Sequence, residues 1–230
     1  MNKLASGQEG NVYLLNNKKI LKHRKINTDD KEFKIQQILY GIVPEHIIKP
    51  IDQFRTLNGK PIFLMDYLRA KTFKEFVSNP ESFRDFPNIM IELLCKVMTV
   101  LDRIYKIYPS FRHNDLHGEN IMITEDQSVY IADFGKSRMD LTGVDHMDVY
   151  ENYGIVPISD PRYDYHFFIN NCYLLSPPGS KIKTMIELVI PPEYLGRESP
   201  FINNFRLRPY MEHKNLPKRS KLVKIFCAKY

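Results

Sequence analysis

The segment FPNIMIELLCKVMTVLDRIYKIY, residues 86–108, keeps apolar side chains on one helical face for about twenty residues without a glycine. A helix of that length must bury its stripe against other elements. The next residues are equally constraining: a polar stretch, FRHNDLHGEN, then IMI, a turn at Glu125-Asp126-Gln127, and VYIADFGKS. A long buried helix, a polar loop and two short strands therefore form a frame that the rest of the chain has to fit.

Upstream the hydrophobic period changes from helical to alternating. NVYLL and KILKH, either side of a turn-like Asn-Asn-Lys, read as a hairpin. TDDKEFKIQQILYGI places Phe33, Ile35, Ile38 and Leu39 near helical spacing behind Thr28, an N-cap candidate. HIIKPIDQF and PIFLMDYL then flank a turn at Asn58-Gly59. The pattern predicts an α+β chain: a β-rich lobe over 1–67 with one inserted helix, and a mainly helical lobe over 68–230, joined by a short connector near Leu68 to Lys74.

The chain has 230 residues, 43% of them hydrophobic, enough to bury a sizeable core. Its longest apolar runs, such as IFLM and ELVI, are far below the roughly 18 residues of a membrane-spanning helix, so a soluble, cytoplasmic protein is expected. Cys95, Cys172 and Cys227 are widely spaced and lack a C-x-x-C pattern. Free thiols are expected, not a disulfide framework or a zinc site. The formal charge of +6 is concentrated at the end, where eight Lys/Arg from Arg206 onward face one acid, Glu212. That segment reads either as a contact for nucleic acid or another anionic surface, or as the solvated face of a terminal helix with Leu222, Val223, Ile225 and Phe226 inward.

His113-Asn114-Asp115-Leu116 with Asn120, followed by Asp133-Phe134-Gly135 at the end of the second strand, resembles the catalytic centre of the protein kinases, H-R-D-L-x-x-x-N and D-F-G. The resemblance extends from Leu4 to about Arg138. It implies a two-lobed kinase fold with a trimmed C-lobe, binding ATP and Mg²⁺ and acting as a monomer on Ser/Thr hydroxyls of proteins. Asp115 would accept the proton of the substrate hydroxyl, and Asn120 and Asp133 would hold the metal. In LASGQEGNVYLL, Gly7, Gly10 and Val12 match the phosphate-covering Gly-rich loop, with Ala5 in place of its first glycine. Lys22, with Lys19 as the alternative, matches the ATP-anchoring lysine. Its carboxylate partner is expected at Glu32, ahead of Asp29, Asp30 and Glu45. Met65 would guard the adenine pocket, and backbone groups of Asp66 to Leu68 would bond the adenine edge.

Departures from the family pattern matter too. Asn114 stands where many protein kinases have an Arg that pairs with a phosphate on the activation segment. A phosphate on Thr142, Tyr150 or Tyr153 would thus lack its usual partner, with His117, Lys136 and Arg138 the remaining nearby cations, and constitutive activity is expected. His117 stands where many Ser/Thr kinases carry a phosphate-contacting Lys. The resulting D-L-H loop is similar to that of haspin-like kinases and of the aminoglycoside and choline phosphotransferases, which keeps a small-molecule acceptor, or a non-catalytic pseudokinase scaffold, as alternatives. PRYDYHFFINNCYLL resembles the kinase helix that opens with an Asp tied to the catalytic loop, here Asp164. PPEYL comes after that helix and is read as only superficially like A-P-E. This compact style resembles kinases of large DNA viruses that replicate in the cytoplasm, which would place the protein in host cytoplasm or virion.

Overall fold

The computed structural model describes residues 2–6, 10–16, 18–25, 30–78, 85–140, 162–196 and 217–228. Five antiparallel strands come first: β1 (Asn2–Ser6), β2 (Gly10–Asn16), β3 (Lys19–Arg24), β4 (Pro50–Arg55) and β5 (Pro61–Asp66), arranged β1-β2-β3-β5-β4. Alternation sets what each strand buries. On β3 it turns Ile20, Lys22 and Arg24 inward and leaves Lys19, Leu21 and His23 half-buried. Register places Lys22 opposite Val12 of β2 and Phe63 of β5, so two apolar neighbours flank a buried cation. Gly10 lies opposite Arg24, and a Cβ there would stand 2.7 Å from the His23 carbonyl oxygen. The strands can approach this closely only with glycine.

Helix α1 (Lys31–Ile42) is inserted between β3 and β4. Asp30 sits at its cap position without a capping hydrogen bond, and its carboxylate instead takes Arg55. The expected cap, Thr28, lies outside the described residues. Two cores share this helix: Phe33 packs with Ile20, Phe63 and Met65 under the sheet, whereas Ile35, Leu39 and Val43 join the large core of the helical region. The chain beyond α1 is tied to that region as well. Arg103 reaches Glu45 and the Ile42 carbonyl, His46 Nδ1 donates to the Val129 carbonyl at 2.8 Å, and Ile47 bridges Ile131.

The helical region is built around α3 (Phe86–Ile107), whose inward face runs Met90, Leu93, Leu94, Val97, Met98, Leu101, Ile104. Ahead of it come β6 (Lys71–Thr72) and α2 (Phe73–Val77), the latter started by a reciprocal capping box between Thr72 and Glu75. Strands β7 (Ile121–Ile123) and β8 (Val129–Ile131) complete a small sheet with β6, and α4 (Tyr163–Leu175), α5 (Lys181–Glu187) and α6 (Arg219–Phe226) close the core. Leu222 and Phe226 of α6 are buried, with Val223 and Ile225 partly so, while Arg219 pairs with Asp102 at 3.0 Å. Pro192–Tyr194 forms a single 3-10 turn after α5. Among the described residues no helix is long and apolar enough to cross a membrane.

The cysteines depart from expectation. Packing of α6 on α3 brings Cys95 and Cys227 together as a disulfide, with Cα atoms 5.3 Å apart, and only Cys172 is free, buried in α4. A separation of 132 residues carries no spacing signal for such a pair.

Gly118, in the loop before β7, is held between helices. A Cβ there would meet Leu175 at 3.2 Å, Phe73 at 3.3 Å and the Lys74 nitrogen at 3.4 Å, the last belonging to the residue that donates to the Gly118 carbonyl. Gly118→Val should therefore destabilise by about 1–3 kcal/mol through overpacking. The resulting drop in melting temperature, roughly 3–10 °C for a chain of this size, is checked by thermal denaturation followed by circular dichroism.

Candidate active site

The first turn of α4 and the turn after β8 both bond to the loop 111–120, and the end of β3 with α1 reaches that same turn after β8. Asp164, fully buried at the start of α4, organises the loop. Its Oδ2 accepts from the His113 N–H at 2.7 Å and from Tyr105 Oη at 2.6 Å, and its Oδ1 accepts from the Asn114 N–H at 2.9 Å. Charge-assisted bonds of this kind are strong. They hold Asn114 at φ 64°, a left-handed conformation that asparagine tolerates better than most residues. Burial and the neighbouring Asp164 carboxylate push the Tyr105 phenol well above its ordinary range, so it stays a donor.

His113 belongs to this frame and not to the reacting surface. It is fully buried, its Nε2 lies 3.0 Å from the Ala132 carbonyl, and its ring packs 5.3 Å from that of Phe134. Burial lowers its pKa, so the neutral imidazole that donates to Ala132 is favoured. His113, expected among the catalytic groups, is thus placed behind the loop with 0% of its surface exposed. Segment 136–138 is fixed to the same loop: Asn114 Nδ2 donates to the Lys136 carbonyl at 3.0 Å, Ser137 Oγ to the His113 carbonyl at 3.3 Å, and Arg112 and Arg138 exchange both backbone bonds at 2.8 and 2.7 Å.

Asp115 emerges from the frame with 17% of its side chain exposed. Lys136 Nζ lies 2.9 Å from its Oδ2, Asn120 Nδ2 3.5 Å and His117 Nε2 3.6 Å. Burial alone would raise its pKa, but the nearby His117 and the Lys136 charge outweigh it and hold the carboxyl well below the usual range. Lys136 thus faces Asp115, while Arg138 is nearest Asp140 at 3.6 Å. Thr142, Tyr150 and Tyr153 lie outside the described residues, as does Gly7.

On the other side, Lys22 Nζ lies 2.5 Å from Glu32 Oε1 and 2.7 Å from Asp133 Oδ1, joining strand, helix and turn in one ion-pair chain. Lys19 lies on the opposite face of β3, and Asp30 and Glu45 pair elsewhere. Burial works against the Lys22 ammonium, yet the Asp133 and Glu32 carboxylates more than compensate and its pKa rises. Asp133 is lowered to about 2, burial being overcome chiefly by Lys22. Glu32 is raised, burial exceeding the pull of Lys22. Arg24, which the sequence reading missed, also reaches Glu32, with Nη1 2.9 Å from Oε2. The alternation of β3 was the signal that could have found it, since Lys22 and Arg24 share a face.

Asn120 and Asp133 supply oxygen donors of the right kind for a hard cation. Asn120 Nδ2 donates to the Asp115 carbonyl at 2.9 Å, which turns its amide oxygen away, and Asp133, at φ 60°, keeps 39% of its side chain exposed beyond Lys22. Among the described residues no group of three or more His, Cys, Asp or Glu gathers for a metal. Two such oxygens fit Mg²⁺ completed by waters and phosphate oxygens better than a zinc cage.

Around the expected adenine contacts, two of the backbone donors are already engaged. Met65 is buried under the sheet, with Gln36 Nε2 3.3 Å from its sulfur. The Asp66 N–H donates to the Lys49 carbonyl at 3.0 Å and the Tyr67 N–H to the Lys18 carbonyl at 2.7 Å. Of the three donors in Asp66 to Leu68, the Leu68 N–H is the one without an acceptor among the described residues. In comparison with known proteins, residues 1–152 match the protein kinase domain family, and no curated protein matches the chain.

Proposed function

The chain belongs to the protein kinase family, and from that premise we propose that it transfers the γ-phosphoryl group of ATP to serine or threonine hydroxyls of proteins. The observations that support the reading are two ion-pair groups, Lys22–Glu32–Asp133 and Asp115–Lys136. Lys22, positioned by Glu32, is the cation for the ATP phosphates, with Gly10 and Val12 on the strand above and the Leu68 N–H on the adenine side. Asp115 orients the acceptor hydroxyl and takes its proton as the oxygen bonds to phosphorus and the bond to the β-phosphate oxygen breaks, releasing ADP. Asn120 and Asp133 would hold Mg²⁺, which neutralises phosphate charge when bound. Residues 1–67 form the nucleotide lobe and 68–230 the acceptor lobe, in a monomer.

The D-L-H loop favours a second acceptor class, small alcohols and sugars. Incubation with γ-labelled ATP and Mg²⁺, against a protein extract in one arm and a panel of aminoglycosides and choline in the other, separates the readings. Label on Ser/Thr of proteins is expected. Label confined to small molecules would replace the acceptor class, and nucleotide binding with no transfer in either arm would mark a scaffold.

A further inference from the structure

Lys136 is a cation at the reacting end of the site, where the family resemblance assigns no role. Its ammonium lies 2.9 Å from Asp115 Oδ2, and 27% of its side chain is exposed. Its backbone is not free to drift, because the cross-links from Asn114, Ser137 and Arg138 fix 136–138 to 112–114. The Asp115 carboxylate is divided in consequence: Oδ2 collects Lys136, His117 and Asn120, while Oδ1 accepts from no described residue and is left for a hydroxyl.

We propose that Lys136 is a catalytic residue of the phosphotransfer reaction, placing its positive charge on the oxygens of the γ-phosphoryl group as it moves from ADP to the acceptor held by Asp115. The inference rests on the reading given under Proposed function. A hydroxyl on Asp115 Oδ1 must lie beside the phosphorus it attacks, so a cation bonded to Oδ2 of the same carboxylate stands within side-chain reach of the phosphoryl oxygens. The acceptor oxygen forms a bond to phosphorus, the β-phosphate oxygen leaves with the electron pair of the broken bond, and the hydroxyl proton passes to Asp115. Lys136 gains and loses no bond. It offsets the charge spread over the phosphoryl oxygens while the group passes from the leaving to the acceptor oxygen, and a fixed cation held there accelerates the transfer. Asn114, by anchoring the Lys136 carbonyl, acts as a positioning residue for it.

Lys136→Met and Lys136→Arg are compared with the wild-type chain in two measurements: steady-state transfer, and equilibrium binding of ADP and of a non-hydrolysable ATP analogue by calorimetry. For Lys136→Met, kcat should fall by about 10²–10³-fold, the usual loss for one electrostatic group at a transition state, with the acceptor KM within a few-fold. Its affinity for the analogue should fall toward that for ADP, while ADP binding holds. Lys136→Arg, which keeps the charge, should recover much of both. An unchanged preference for the analogue over ADP in Lys136→Met overturns the proposal, as does a rise in kcat, which would mark the Lys136–Asp115 pair as a block. If the wild-type chain transfers nothing, the phosphotransfer reading fails by itself, and the binding comparison still judges Lys136.

Discussion

Asp133→Asn should lower phosphoryl transfer by about a thousandfold or more, some 4 kcal/mol in the barrier, while the protein stays folded. The substitution keeps the side-chain shape and removes a charge from the group best suited to hold Mg²⁺. It also takes one of two carboxylates from Lys22, which retains Glu32. With 39% of the Asp133 side chain exposed, the remaining excess of positive charge is partly screened by water, and the melting temperature should shift by a few degrees at most. Transfer measured across a Mg²⁺ titration, beside a thermal melt, is the check. Near-normal turnover in the folded variant would remove Asp133 from the metal site.

Asp115→Asn should reduce kcat by about 10²–10⁴-fold, the range expected for losing a positioned proton acceptor, while ATP binds within a few-fold of its normal affinity. Asp115 contacts neither Lys22 nor Glu32, so the phosphate-anchoring side of the site should be unaffected. Its carboxyl is held ionised well below neutrality by His117 and Lys136 against the effect of burial. The difference between variant and wild type should therefore persist without change from pH 6 to pH 8. Equal losses in nucleotide affinity and in kcat would place Asp115 on the ATP side of the reaction.

Much of this site could be read from the sequence because its residues are local. Asp115 and Asn120 share one loop, Asp133 ends the next hairpin, and Glu32 lies one helical turn before Ile35 and Leu39, which pack inward. Where partners are set by tertiary packing, the sequence carried little. The Cys95–Cys227 pair depends on how α6 lies along α3. The acceptors of the Asp66 and Tyr67 N–H groups, Lys49 and Lys18, are set by the neighbouring strands and not by any property of residues 66–68. Gly10 suits a phosphate loop by its sequence context, yet its glycine is also demanded by the approach of β2 to the His23 carbonyl. Lys136 was visible as a cation, but its direction depends on the bonds that Asn114 makes in a left-handed conformation.

The double anchoring of α1 has a mechanical consequence. Ile35, Leu39 and Val43 are set in the large core, and the chain just beyond is pinned by Arg103, His46 and Ile47. The helix is thus a cantilever: its far end is clamped to the helical region and its near end carries Glu32. Any outward swing of Glu32 has to pivot near Val43 and pull Ile35 and Leu39 from close packing. Rigid interiors resist such lever motion, so this helix transmits a load applied at β8 to the Glu32–Lys22 pair more readily than it swings free as a gate.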